Sequence, residues 1–385
     1  MQKLVTRKLR SARVRFTEQL ERWRQRSYAA RKRREFKAWV QQLESFPPQV
    51  LLGSNFAEFG GVRQHIHSIQ KFSKLRVELA PPDELLRLIS PHEVRTIFRD
   101  EFFRLEPMKI SAFHSHVFPW FIEWSRTRER KSTKWIHTYH LPYFPEHAEG
   151  PLAAWQEEIN RALIDDARHA DVRLSVSKWQ QAYLADEHDI TTSYLPNGVD
   201  VAVCDRANAS RFRQLTGLTD FVLYVGRNDP VKNPAEFVRL AARMPSLQFV
   251  MLGRDLSPAI METEWKVDVP ANVLVRGETK HSEVLDAIAA SRAVVVTSRR
   301  EGLPTLVLEA MALEKNVVVP REAGCLEAID QGEFGFVYEA GEIDHLVEQT
   351  VKAIDSPANH GARERVLTEF DWRVIAPKLD AYYAA

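Results

Sequence analysis

Cysteine is scarce: the 385 residues hold two, Cys204 and Cys325. Two thiols cannot build a disulfide framework, and they fit a reducing compartment. No apolar run approaches the roughly 18 residues a membrane-spanning helix needs. The first residues are basic but lack the apolar stretch of a secretory signal. These absences lead us to expect a cytoplasmic chain, soluble or peripheral at the inner face of the cytoplasmic membrane. Asp-x-Asp, a pair that often holds a divalent cation against a nucleotide diphosphate, occurs nowhere. One-sided charge is also missing: the net is +1, so the molecule as a whole is no obvious polyanion binder.

That balance hides an asymmetry. Residues 1–40 carry fourteen Lys/Arg against three Glu. An excess of eleven at one end leaves the remainder net acidic by about ten. Residues 1–46 also have no glycine and no proline, and Leu4, Leu9, Val14, Phe16, Leu20, Trp23, Phe36 and Trp39 are spread among the arginines. This reads as a basic helical arm outside the main fold. Three readings compete for it: a solvated or oligomerising helix, an interfacial helix on an anionic membrane, and nucleic-acid binding, for which no motif speaks.

Beyond Pro47-Pro48 the chain alternates between short β-branched runs and helical stretches. Strands are expected at 50–53, 75–79, 109–113, 134–140, 172–176 and 191–195. Helices are expected at 83–105, 152–169 and 179–185, with one more opening after Gly60-Gly61. A second unit of the same kind has strands at 221–225, 247–252, 272–275, 293–297 and 317–319. Its helices are expected at 234–243, 282–290, 342–355, 358–370 and from about Asp371 to Tyr383. Such alternation implies parallel, doubly wound sheets. The expected division is an arm at 1–46, domains at 47–200 and 201–370, and a closing helix at 371–385.

The richest stretch runs from Ser298 to Ala312, where Glu301 and Glu309 flank Gly302, Leu303, Pro304, Thr305 and Leu306. A buried strand precedes it, so it is a strand-to-helix loop and the helix that follows. In open parallel sheets, ligands bind outside the carboxyl ends of the strands. The helix start favours anions, and the carboxylates can accept hydroxyls. Arg227 and Lys232 leave the end of another strand five positions apart. Together they could pin a diphosphate, the Arg as a planar fork and the Lys as a point charge. Alone, either could be a surface charge, and Glu309 could be an ordinary helix-surface residue. His140 sits at a strand mouth, where a lone histidine is more often structural. His114-x-His116 points two rings one way on a strand, but no carboxylate or Cys ligand is near in sequence. No metal site is therefore expected.

Five elements in order resemble the large family 4 of retaining glycosyltransferases (glycosyl transferases group 1). They are Phe59-Gly60-Gly61-Val62-Arg63-Gln64-His65, Ile136-His137-Thr138-Tyr139-His140, and Leu195-Pro196-Asn197-Gly198-Val199-Asp200. Then come Tyr224-Val225-Gly226-Arg227 with Lys232, and Glu301-Gly302-Leu303-Pro304 through Glu309-Ala310-Met311-Ala312. Each is weak to moderate, but five at this spacing are strong. The resemblance covers about Val50 to Tyr383.

The resemblance implies the GT-B fold, two Rossmann-like domains facing across a cleft, and hexose transfer from a nucleoside diphosphate sugar such as a UDP- or GDP-sugar. The donor is a substrate, and no cofactor or metal is implied. Arg227 and Lys232 would bind its diphosphate and Glu309 its ribose. Glu301 with the backbone from Leu303 to Leu306 would hold sugar and phosphate. Gly61 would let a loop close over the phosphates. His140 would lie by the donor sugar, with Gly60, His114 and His116 as acceptor-side candidates. The closing helix would cross back to the first domain.

The sequence departs from the family pattern at Asn233, where glycine is common, and at Ala323-Gly324-Cys325-Leu326-Glu327, where a glycine-rich turn is usual. The expected acceptor is a glycan or lipid-linked, in cell-surface polysaccharide or lipopolysaccharide assembly. The Trp/Arg-rich stretch 120–131 would add to contact with an anionic membrane, unless Trp120, Phe121 and Trp124 are core. The alternatives are a sugar-phosphate-type synthase acting on a small acceptor, and a non-catalytic scaffold that binds sugar nucleotides.

Overall fold

The structure is a computed structural model that describes residues 28, 30–55, 60–86, 96, 98–103, 110–128, 133–147 and 150–384. Among the described residues, twelve short strands form two six-stranded parallel sheets. The first contains β1 (Val50–Gly53), β2 (Val77–Ala80), β3 (Ala112–Ser115), β4 (Lys134–Tyr139), β5 (Val172–Ser175) and β6 (Ser193–Tyr194). The second contains β7 (Phe221–Val225), β8 (Gln248–Leu252), β9 (Val273–Arg276), β10 (Ala293–Val295), β11 (Asn316–Pro320) and β12 (Phe336–Tyr338). Strands such as Val50-Leu51-Leu52 are buried on both faces, as a helix-covered parallel sheet requires.

Strand order places the site. The first sheet runs β2-β1-β3-β4-β5-β6 and the second β12-β11-β10-β7-β8-β9. The chain reverses direction across the sheet between β1 and β3, and again between β7 and β10. Loops after those strands diverge to opposite faces and leave a crevice at the carboxyl ends. Gly60-Gly61 and His116 follow the first pair. Arg227-Lys232 and Glu301 follow the second.

Nine helices matter below. They are α1 (30–45), α2 (Gly61–Phe72), α3 (Pro119–Thr127), α4 (Lys178–His188), α5 (Pro234–Arg243), α6 (His281–Ala290), α7 (Thr305–Ala312), α8 (Ala323–Ala328) and α9 (Trp372–Ala384). The last helix belongs to the first sheet's core. Trp372, Ile375, Leu379 and Tyr383 pack with Val50, Leu52, Ile66 and Ile69. At its start, Val199 N donates to Phe370 O (2.9 Å) and Trp372 N to Val199 O (3.1 Å).

The structure corrects several expectations. Helix α1 is not outside the fold. Phe36, Trp39, Val40 and Leu43 are buried with Phe98, Phe102 and Phe113, because their spacing of three and four makes one apolar stripe. Residues 1–27 and 29, which carry most of the arm, lie outside the described residues. Trp124, Phe121 and Ile122 of α3 are core, and Trp120 packs against the same cluster. Arg130 and Lys131 lie outside the described residues. Strand β3 ends at Ser115, so His114 is within the strand rather than at its mouth. Of the helix expected at 83–105, the described parts are a turn at Asp83–Leu86 and a π-helical turn at Phe98–Phe102. Strand β12 was not anticipated.

Candidate active site

Two helix starts meet across the crevice. Helix α2 begins at Gly61 after Gly60, whose φ of 120° suits glycine alone. Helix α7 begins at Thr305 after Pro304. Neither helix has a side-chain cap or an acidic residue in its first turn. A Cβ placed on Gly61 would lie 3.5 Å from Thr305 Oγ1. Two uncapped positive helix ends thus face each other over bare backbone, which is an arrangement for an anion.

Charged groups stand beside this point. Lys232 Nζ meets Glu301 Oε1 at 2.5 Å, which joins the loops after β7 and β10. Arg227 pairs with Asp229 at 2.5 Å and stays half exposed. Both cations are held by carboxylates, so a bound diphosphate would compete with or join those pairs. Leu303 is buried, and Leu306 packs on the core below; only their backbone can serve a ligand. One turn into α7, Glu309 is buried and takes a hydrogen bond from His281 Nε2 at 2.7 Å. Burial works against charge on His281, but the Glu309 hydrogen bond and carboxylate outweigh it and raise its pKa above 6.5. A cavity of about 180 Å³ opens here, lined by Glu309, His281 and Asp200 and by Gln64, His67 and Lys71 of α2.

The two departures from the family pattern have local explanations. Asn233 adopts the left-handed conformation (φ 46°, ψ 57°) and bonds Glu236 at 2.7 Å. Asparagine tolerates that region, so the turn before α5 keeps its shape without glycine. Gly324 is indispensable. A Cβ there would fall 2.2 Å from Glu301 O and 2.6 Å from Gly302 O.

His140 stands just beyond β4, at the strand mouth where it was expected, whereas His114 and His116 are fully buried rather than open to an acceptor. His114 is fully buried, with Nδ1 at 2.5 Å from Tyr383 Oη and Nε2 at 2.8 Å from Thr138 Oγ1. Both nitrogens are used to hold β3, β4 and α9 together, so it is no acceptor contact. His116 is also fully buried, 3.1 Å from His140 Nε2. His140 is 5% exposed and packs edge-on against His65 of α2. Burial drives His65 down to about 4 and holds His116 and His140 well below 6.5. All three are therefore neutral near pH 7.

Sequence reasoning missed the residues that join the halves. Asn197 Nδ2 donates to Leu303 O (3.1 Å), while its Oδ1 meets His65 Nδ1 (3.0 Å). Trp179 Nε1 donates to Gly302 O (2.6 Å). Glu327 accepts the first backbone N–H groups of α4, from Lys178 (2.8 Å) and Trp179 (3.0 Å). Arg300 lies over the rings of Phe144 and Trp179. These pairs are separated by more than a hundred residues, and only the segments of Asn197 and Glu327 carried a local signal.

Parallel sheets facing across a crevice, with loops from both at its lip, define the GT-B architecture. Sucrose-phosphate synthase from Thermosynechococcus elongatus superposes with a TM-score of 0.69 at 18% identity, over 87% of this chain and 98% of that one. HepE from Anabaena, solved with UDP and glucose, gives 0.66 at 18% identity, over 87% and 99%. The family Glycosyltransferase Family 4 matches residues 57–203, and Glycosyl transferases group 1 matches 206–366. The chain belongs to this glycosyltransferase family.

Curated relatives match over part of the chain. D-inositol 3-phosphate glycosyltransferase of Mycolicibacterium smegmatis is 23% identical over 301 residues, 72% of this chain and 68% of the relative. The capsular polysaccharide glycosyltransferase CapM of Staphylococcus aureus is 30% identical over 94 residues, 23% of this chain and 25% of the relative. The matched part thus spans between a quarter and about two thirds of these two relatives.

Proposed function

We propose that the chain transfers a hexose from a nucleoside diphosphate sugar to a hydroxyl of a glycan or lipid-linked acceptor, with retention at the anomeric carbon. The observation that carries this reading is the pair of uncapped helix starts at Gly61 and Thr305, with Lys232 and Glu301 beside them. The diphosphate sits between the helix ends. Lys232 and Arg227 neutralise it as charge builds on the leaving oxygen. No divalent cation is needed in this scheme. Glu309 takes the ribose hydroxyls, and Glu301 those of the sugar, with His140 on the opposite wall.

The acceptor hydroxyl attacks the anomeric carbon on the face that the diphosphate leaves. The carbon–oxygen bond to phosphate breaks with its electron pair going to that oxygen, which takes the hydroxyl proton.

HepE was solved with UDP and with UDP-glucose, which makes UDP-sugars the first donors to test. A thermal-shift screen of UDP-, GDP-, ADP- and CDP-sugars identifies the donor. The reading then requires that Glu309→Ala and Lys232→Ala each lower release of nucleoside diphosphate by at least about 10² while the melting curve is kept. Undiminished release in both variants sinks it.

The setting we propose is polysaccharide or lipopolysaccharide assembly, with the basic residues before α1 resting on an anionic membrane. Among the described residues no helix is long and apolar enough to cross one. Deleting residues 1–27, which spares the buried face of α1, should reduce sedimentation with anionic vesicles. Equal sedimentation with and without them excludes the membrane contact.

A further inference from the structure

Three histidines that no role above fully uses converge behind the Gly60-Gly61 turn. His65 comes from α2, His116 from just beyond β3 and His140 from just beyond β4. One ligand nitrogen from each lies within 4.8 Å of the others, and all three residues are buried. His116 Nδ1 and His140 Nε2 are 3.1 Å apart. The Nε2 atoms of His65 and His116 are buried without a protein partner. A buried polar atom left unmet costs about 1–3 kcal/mol, so the unpartnered Nε2 of His65, beside the His116–His140 pair, calls for an occupant.

We propose that His65, His116 and His140 form a binding site for a borderline-soft divalent metal ion, with Zn²⁺ as the first candidate. Three imidazoles without a carboxylate or thiolate suit Zn²⁺, Cu²⁺ or Ni²⁺ and not the oxygen-seeking Mg²⁺ or Ca²⁺. Tetrahedral ligands at Zn–N distances of about 2.0–2.1 Å stand roughly 3.3 Å from one another. The His116 Nδ1–His140 Nε2 pair already meets that spacing at 3.1 Å, and a ligand nitrogen of His65 lies within 4.8 Å of both. The second shell is in place: His65 Nδ1 donates to Asn197 Oδ1 (3.0 Å), which leaves Nε2 with its lone pair.

His114, the residue that an H-x-H spacing would have recruited, is excluded by its bonds to Tyr383 and Thr138. A metal here fastens α2 to the ends of β3 and β4, and through Asn197 to Leu303 of the other half. It is distinct from the contacts proposed for the diphosphate, which use Lys232, Arg227 and helix ends rather than a metal ion.

The test titrates the metal-free full-length protein with Co²⁺. The expected result is one Co²⁺ per chain, with the intense visible absorption of a four-coordinate ion, displaced by Zn²⁺. His65→Gln and His116→Gln should each weaken binding at least tenfold. His67→Gln should not: it lies on the same helix, but its Nε2 pairs with Asp83 (3.0 Å). X-ray absorption of the Zn²⁺-loaded wild type should show three nitrogen ligands of imidazole type, a readout that needs no variant to fold. Absence of stoichiometric Co²⁺ binding by the wild type overturns the proposal. So does unweakened binding in both folded variants, or a zinc shell without imidazoles.

Discussion

The mouths of the two sheets occupy equivalent places and are built from opposite chemistry. At the second sheet the loops carry full charges, Lys232 with Glu301 and Arg227 with Asp229, partly open to solvent. At the first sheet the corresponding loops deliver His116 and His140, and helix α2 adds His65, all buried and all pushed towards neutrality. Charge is kept where solvent or a ligand can stabilise it. Where burial is complete, the chain uses groups that can discard their charge. The difference sets a charged wall, suited to an anion, against an uncharged, preorganised one.

The sharpest way to break this comparison is to discharge the charged wall. Lys232→Ala should lower turnover by about 10² to 10³, the usual cost of one electrostatic contact to a developing charge. The melting temperature should barely move, because the ammonium is part exposed. A large fall in both would make Lys232 a structural ion pair.

Backbone precision on the same side is tested next. Gly324→Ala pushes a methyl into Glu301 O and should cost about 1–3 kcal/mol in denaturant unfolding, with loss of donor binding. A neutral result would mean that the loop can retreat and the Glu301 position is not fixed.

Asn197→Ala probes the seam between the walls. It removes the partner of both His65 Nδ1 and Leu303 O and should cost about 1–2 kcal/mol, read by the same unfolding curves.

The smallest effect concerns His281. Its pKa is raised in the folded chain, so the stability it contributes is complete below about 6.5 and is lost as pH rises through the folded value. Its pairing with Glu309 is part exposed and worth about 0.2–1 kcal/mol. His281→Gln should therefore lower the unfolding free energy by up to about 1 kcal/mol at pH 6 and by less at pH 8.5, read from denaturant curves. An equal effect at both pH values would show a steric rather than an ionic role.

Legibility in the sequence followed the range of the interaction. Lys232, Glu301 and Glu309 stand on loops and helix turns whose shape is set by near neighbours. The strand-to-helix pattern was enough to place them at the mouth of a parallel sheet. Most strands could be read from their β-branched runs. The helix at 30–45 was misplaced although its signal was present: Phe36, Trp39, Val40 and Leu43 recur at helical spacing, and the arginine count drew attention away from them. Strand β12 is three residues long, too short for its own pattern. His65 could not be singled out at all, since nothing in a helix sequence tells which distant strands its side chain will meet. Asn233 shows the reverse: the missing glycine looked like a change of loop shape, yet its left-handed backbone preserves that shape.

The two passages of the chain between the halves are tied to each other where Val199 meets Phe370 and Trp372. A single tether of this kind acts as a pivot and leaves the halves chiefly an angle to vary. Opening that angle breaks the bonds from Asn197 to Leu303, from Trp179 to Gly302 and from Glu327 to α4. At about 0.5–1.5 kcal/mol each, these few contacts act together as a latch whose strength can be tuned one side chain at a time.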